Sequence, residues 1–190
     1  MGIVRSFIAI PVRGLSSVES LARDLGRIRG VKGVRTENIH ITLKFLGNIE
    51  EESDLPIICD GLREVSENHQ PFSINFKGTG AFPNIPRMRV AWIGLESDKL
   101  EFLASNVQSK VHEILPTSDD GRQQRFKSHL TIGRIKFNDA IRESGRLLER
   151  FTDHEFGELP VDGFNLMKSV LTPQGPIYSV IERFSFEALE

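Results

Sequence analysis

The chain has 190 residues, of which 39% are apolar and 26% charged, and its net charge is −2. That balance is expected of a soluble globular protein with its own core, and it argues against wholesale duplex binding, which calls for a strongly basic surface. No segment approaches the roughly 18 consecutive apolar residues of a membrane span. The first residues lack the charged, apolar and small-residue regions of a secretory signal. Met1, Gly2 and Ser6 fit a myristoylation pattern, but residues 3–12 read better as a first core strand. Ser16 and Glu19 form a capping-box pattern, and Val18, Leu21, Ala22, Leu25 and Ile28 give a helical stripe. A strand is expected from His40 to about residue 47. A helix follows, capped by Ser53, with Pro56 in its first turn and Leu55, Ile58, Cys59, Leu62 and Val65 along one face. Residues 72–76 alternate as a strand, and the Pro-rich residues 82–86 end it. The plan then repeats. A strand is read at 88–95, and a helix from Asp98 carries Leu100, Leu103, Val107, Val111 and Ile114. Residues 116–124 make a polar loop, 126–137 a strand, and Asn138 caps a helix bearing Ile141, Leu148 and Phe151. Two closing strands are expected near 161–171 and 177–186. Each half thus reads strand, helix, strand, helix, strand, an internal duplication. No Pro, Gly or Ser-rich linker separates the halves, so residues 1–190 are expected to form one domain of two similar lobes.

The same short phrase opens the central strand of each half. His40-Ile41-Thr42-Leu43 and His129-Leu130-Thr131-Ile132 both run His, apolar, Thr, apolar. Side chains of a strand alternate between faces, so each phrase buries its apolar pair and holds an imidazole and a hydroxyl on the other face. Two such strands facing each other would set two imidazoles and two hydroxyls around one small site. Two histidines on either side of a phosphorus atom can act as general acid and general base without a metal. By the same alternation Lys44 shares the face of His40, while Phe45 reads as core. Arg134 falls on the face opposite His129 unless a bulge turns it. Phe82 and Phe126 could stack on a base, but core packing is the expectation for both.

The charge distribution agrees with a phosphate-bearing ligand. Glu50, Glu51, Glu52, Asp54, Asp60, Glu64 and Glu67 crowd one segment. Residues 68–95 and 121–138 contain no acid, but they contain Lys77, Arg87 and Arg89, and Arg122, Arg125, Lys127, Arg134 and Lys136. Lys32 and Arg35 precede the first phrase. A locally positive site on a mildly acidic protein suits such a substrate. His69, His112 and His154 read as solvated. The single Cys59 reads as core, which points to a reducing compartment and a cytoplasmic location. There is no metal-ligand spacing, P-loop, dinucleotide-binding fingerprint or nucleophile elbow. No metal or cofactor is expected.

With both phrases placed, the chain resembles the 2H phosphoesterase superfamily, and within it the RNA 2′,3′-cyclic phosphodiesterases, also called 2′-5′ RNA ligases. The resemblance runs through Arg5-Ser6-Phe7-Ile8-Ala9-Ile10, both His phrases with Lys44-Phe45-Leu46-Gly47 and Gly133-Arg134, Gly80-Ala81-Phe82-Pro83, Val90-Ala91-Trp92-Ile93-Gly94, and Leu171-Thr172-Pro173-Gln174-Gly175-Pro176-Ile177-Tyr178. It implies a bilobal α+β fold of two antiparallel sheets facing a cleft, with helices outside. It implies metal-free hydrolysis of ribose 2′,3′-cyclic phosphates at RNA ends or on nucleotides to 2′-phosphates, with ligation as a side activity. Carried over by position, His40 is the proton donor to the leaving 3′-oxygen and His129 the acceptor that activates water. Thr42 and Thr131 bind phosphate oxygens, and Arg134 is a further phosphate ligand. The competing reading is a nucleotide- or RNA-end-binding module that uses the same cleft without turnover. The near symmetry of the two phrases leaves the acid and base roles open on chemistry alone.

Overall fold

The computed structural model describes residues 2–116 and 126–187. Among them are β1 (Ile3–Pro11), α1 (Ser16–Arg27), β2 (Val31–Gly33), β3 (His40–Glu50), α2 (Asp54–Glu67), β4 (Phe72–Phe82), β5 (Val90–Glu96) and α3 (Asp98–Ile114). The order continues with β6 (His129–Ile135), α4 (Ala140–Glu149), β7 (Glu155–Val161), β8 (Gly163–Thr172) and β9 (Gly175–Ser185). Arg122 and Arg125, and most of the loop expected at 116–124, lie outside the described residues.

The apolar stripes make the helices. Val18, Leu21, Ala22 and Leu25 of α1 are buried, as are Leu100, Leu103, Ala104, Val107 and Val111 of α3. The expected capping box at Ser16 does not form. Leu15 holds the N-cap position, no side chain among the described residues caps the helix, and Ser16 is its first residue. Two strands escape the sequence reading. β2 is only three residues long. β7 contains Pro160 and, among the described residues, pairs only with β4, at the edge of its sheet, where a missing N–H is tolerated.

All strand pairs are antiparallel. They form a four-stranded sheet in the order β3-β1-β8-β9 and a five-stranded sheet in the order β2-β6-β5-β4-β7. Set β2 aside and the two orders correspond, each starting from its His strand. The halves of the chain are therefore exchanged. β4 of the first half lies beside β5 in the second sheet, and β8 of the second half lies beside β1 in the first. The helices cross over as well. α1 follows a strand of the first sheet but packs on β2, β6 and β7 of the second. α3 follows β5 of the second sheet but packs on β3 of the first and on α2. One continuous hydrophobic cluster unites both halves. The helices cover the outer faces, and the sheets face one another where β3 meets β6.

Candidate active site

The His strands carry the same irregularity at the same place. Opposite β1, Thr42 pairs with Ala9 and Lys44 with Ile8, so Leu43 is an extra residue with no partner. Opposite β5, Thr131 pairs with Trp92 and Gly133 with Ala91, so Ile132 is the extra residue. Each is a β-bulge three residues after its histidine, and each reverses the alternation of the residues next beyond it; in β3 a second extra residue, Leu46, restores it. The open face of β3 thus reads His40, Thr42, Phe45, and that of β6 reads His129, Thr131, Arg134. Both extra residues are buried.

The bulges decide the neighbouring side chains. Arg134 is turned onto the face of His129 and is exposed, with Lys32 beside it on β2. Lys44 is carried to the opposite face, paired with the fully buried Ile8, which corrects its expected place in the cleft. Phe45 takes that place instead. It is 62% exposed and paired with Phe7 on the open face, not in the core. Gly133 permits the second bulge. A Cβ there would lie 2.6 Å from Cδ2 of the buried Leu25 of α1.

The imidazoles are held alike. The Asn38 carbonyl lies 2.7 Å from His40 Nδ1, and the Lys127 carbonyl 2.7 Å from His129 Nδ1. A carbonyl can only accept, so Nδ1 donates in both rings, and Nε2 is left for chemistry. Phe7 and Tyr178 flank His40, with ring centroids at 5.0 and 5.3 Å. The Tyr178 ring meets it edge-on at 88°. Phe82 meets His129 edge-on at 4.9 Å and also contacts Trp92. Phe82 therefore belongs to the site, whereas Phe126 packs against the core. The Lys127 ammonium sits 5.0 Å from the centroid of the Phe82 ring.

Burial lowers the pKa of both histidines. The backbone carbonyls oppose that shift, and the charge of Arg134 adds to it at both rings. Lys127 adds to it at His129. One guanidinium thus bears on both imidazoles from the two sheets. The cleft floor holds two further polar groups. Trp92 lies flat on Gly80, where a Cβ would overlap its ring. Its Nε1, and the Oδ1 of Asn165 beside Ala9, are buried and have no hydrogen-bond partner among the described residues.

The other histidines stand apart. His112 and His154 are exposed. His69 is buried, contrary to expectation. Asn106 donates to its Nε2 at 3.1 Å, and it packs against Phe102 and Phe186. Cys59 is buried and its thiol is pushed up to about 12, first by burial and then by Glu182.

Two antiparallel sheets thus each carry one His-x-Thr strand at the cleft between them. A LigT-like phosphoesterase family model matches residues 8–92. The chain is 40% identical over 184 residues to the RNA 2′,3′-cyclic phosphodiesterase of Archaeoglobus fulgidus, spanning 95% of this chain and 99% of that one. It is 37% identical to the Aquifex aeolicus enzyme of the same name, spanning 97% and 98%. A solved Thermus thermophilus structure superposes with a TM-score of 0.79 at 30% identity, covering 98% of this chain and all of that one. Escherichia coli LigT, solved also with 3′-AMP, shares the fold at a TM-score of 0.72 and 19% identity, over 97% and 99% of the two chains. The chain belongs to the RNA 2′,3′-cyclic phosphodiesterase family of LigT-like phosphoesterases.

Proposed function

We propose that this protein opens ribose 2′,3′-cyclic phosphates at RNA ends to 2′-phosphates, with His40 and His129 as the acid–base pair. The observation that carries the reading is the matched pair of imidazoles, each tied at Nδ1 to a backbone carbonyl and each beside a threonine. His129, neutral, takes a proton from the attacking water at Nε2. His40, protonated at both nitrogens, gives its Nε2 proton to the leaving 3′-oxygen while Nδ1–H stays on Asn38. Thr42 and Thr131 donate to the non-bridging oxygens, and Arg134 offsets the charge that gathers there. The assignment of acid and base, and of the 3′-oxygen as leaving group, follows the family resemblance. Phe45 offers an exposed ring beside the His40 side of the cleft on which a nucleobase can stack.

Among the described residues no three His, Cys, Asp or Glu side chains are grouped to hold a metal ion. No helix of the described residues is long and apolar enough to cross a membrane. We read the lone buried Cys59 as fitting a reducing cytoplasm, and the exchanged strands as one folding unit of two lobes across residues 1–190. The test is hydrolysis of adenosine 2′,3′-cyclic phosphate in EDTA, followed by phosphorus NMR. A single 2′-phosphate product at an undiminished rate is expected. A 3′-phosphate, or activity restored only by a divalent ion, would overturn the reading.

A further inference from the structure

The two imidazoles share a local geometry, but their supports differ. The carbonyl that holds His40 belongs to Asn38, whose side chain is itself anchored. Its Nδ2 donates to the Pro176 carbonyl at 3.1 Å, and Arg35 Nη2 donates to the same oxygen at 3.1 Å. Only the nitrogen of a carboxamide can face a carbonyl oxygen, so the amide orientation is settled. Pro176 lies just inside β9, after a turn closed by Thr172 Oγ1 on the Gly175 carbonyl at 2.6 Å. Two residues further on, Tyr178 sets its ring edge-on against His40. The β8–β9 hairpin thus reaches His40 twice, through the Tyr178 ring and through Asn38. Among the described residues His129 has no matching strap. Its carbonyl partner is Lys127, whose side chain lies over Phe82, and the next residue, Ser128, bonds the exposed Glu101 of α3 at 3.0 Å.

We infer that Asn38 is a positioning residue for His40: its side chain pins the backbone to the hairpin, so that its carbonyl holds Nδ1–H and leaves Nε2 aimed at the substrate. The neutral imidazole has two tautomers of similar energy, and the hydrogen bond at one nitrogen selects which is populated. A carbonyl free to move selects less strongly. The hairpin turn therefore contributes to proton transfer without touching the substrate. The inference rests on the two-histidine reading above, but its first test does not require turnover.

Nitrogen NMR of histidine-labelled protein, above the titration range of the imidazoles, reads the tautomer of each ring. The His40 and His129 signals are assigned from the His40→Ala and His129→Ala spectra. In the unaltered protein both rings are expected as Nδ1–H. Asn38→Ala and Asn38→Asp both remove the donor, and the second keeps the shape of the side chain. Each should give His40 a mixture of tautomers while the His129 signals stay in place. On adenosine 2′,3′-cyclic phosphate, kcat should fall roughly 10- to 100-fold with KM nearly unchanged, by analogy with the loss of a group that orients a metal-bound imidazole. An intact Nδ1–H tautomer at His40 in both variants overturns the inference, whatever the rate. So does an equal change at both histidines, which marks a fold-wide disturbance. An unaltered protein that binds but does not turn over cyclic phosphate sinks the hydrolytic reading alone, because the tautomer comparison still decides the role of Asn38.

Discussion

A proton transfer at phosphorus is set by which nitrogen faces the substrate and by its charge. Nε2 faces the cleft in both His40 and His129 because a backbone carbonyl occupies each Nδ1. Replacing either histidine by alanine should lower kcat by at least roughly 10²-fold, the range for losing a general acid or base. The double variant should lose far less than the product of the two single losses, since the residues act as a unit. Near-normal turnover in a single variant would break the assignment. Both imidazoles are held below the ordinary value by burial and by the charge of Arg134. In the free enzyme the base gains its proton, and the acid loses its own, below about pH 6.5. The kcat/KM profile should then be a bell centred on the acid side of that pH. The bound phosphate anion favours the imidazolium, so the kcat profile should be displaced to higher pH. A kcat/KM maximum well above neutrality would contradict this environment.

Each His strand works through its bulge. The extra residue at Leu43 and at Ile132 brings the side chain five positions after the histidine to the cleft, Phe45 on one strand and Arg134 on the other. A repeated backbone thus presents an aromatic ring from one sheet and a guanidinium from the other. The second bulge needs a glycine, because Leu25 of α1 fills the space behind residue 133. Gly133→Ala forces a methyl group into that contact. It should cost about 1–3 kcal/mol, as overpacking does, and shift Arg134 enough to raise KM. Urea unfolding and steady-state kinetics on one preparation measure both effects. An unchanged urea midpoint would mean that Leu25 yields without cost.

The molecule as a whole couples its site to its stability through burial. His40, His129 and His69 all have pKa values lowered by burial. Such groups bind protons less readily folded than unfolded. As pH falls through about 6.5 the unfolded chain gains protons first, and stability declines until the lowered folded-state values are passed. The stability is complete above that window and lost within it. Thermal unfolding between pH 7.5 and 5.5 should therefore show Tm falling with pH. The double variant His40→Asn/His129→Asn should show a shallower fall, with His69 supplying what remains. An equally steep fall in that variant would place the proton uptake elsewhere. At this scale β3 and β6 belong to sheets that each contain strands from both halves, so neither half of the chain builds its His strand's sheet alone.

Local patterning was enough for the elements that bury one face. The stripes of α1 and α3, the strands of both His phrases and the duplication all follow from period and spacing, because burial rewards alternation directly. The pairing of each histidine with its threonine was legible for the same reason. The bulges were not read from strict alternation, although a trace exists. Leu43 and Leu46, and Ile132 and Ile135, stand three apart, an odd step that a regular strand cannot keep on one face. That step put Lys44 outside the cleft and Phe45 within it. β7 and the burial of His69 also escaped, since an edge strand with a proline and a polar loop take their places only from what packs beside them. Strand exchange, and the anchoring of Asn38 by a hairpin 138 residues further along the chain, are invisible to any local reading. Periodicity records only whether a residue meets core or water; which distant backbone oxygen it meets is decided when the sheets close on one another.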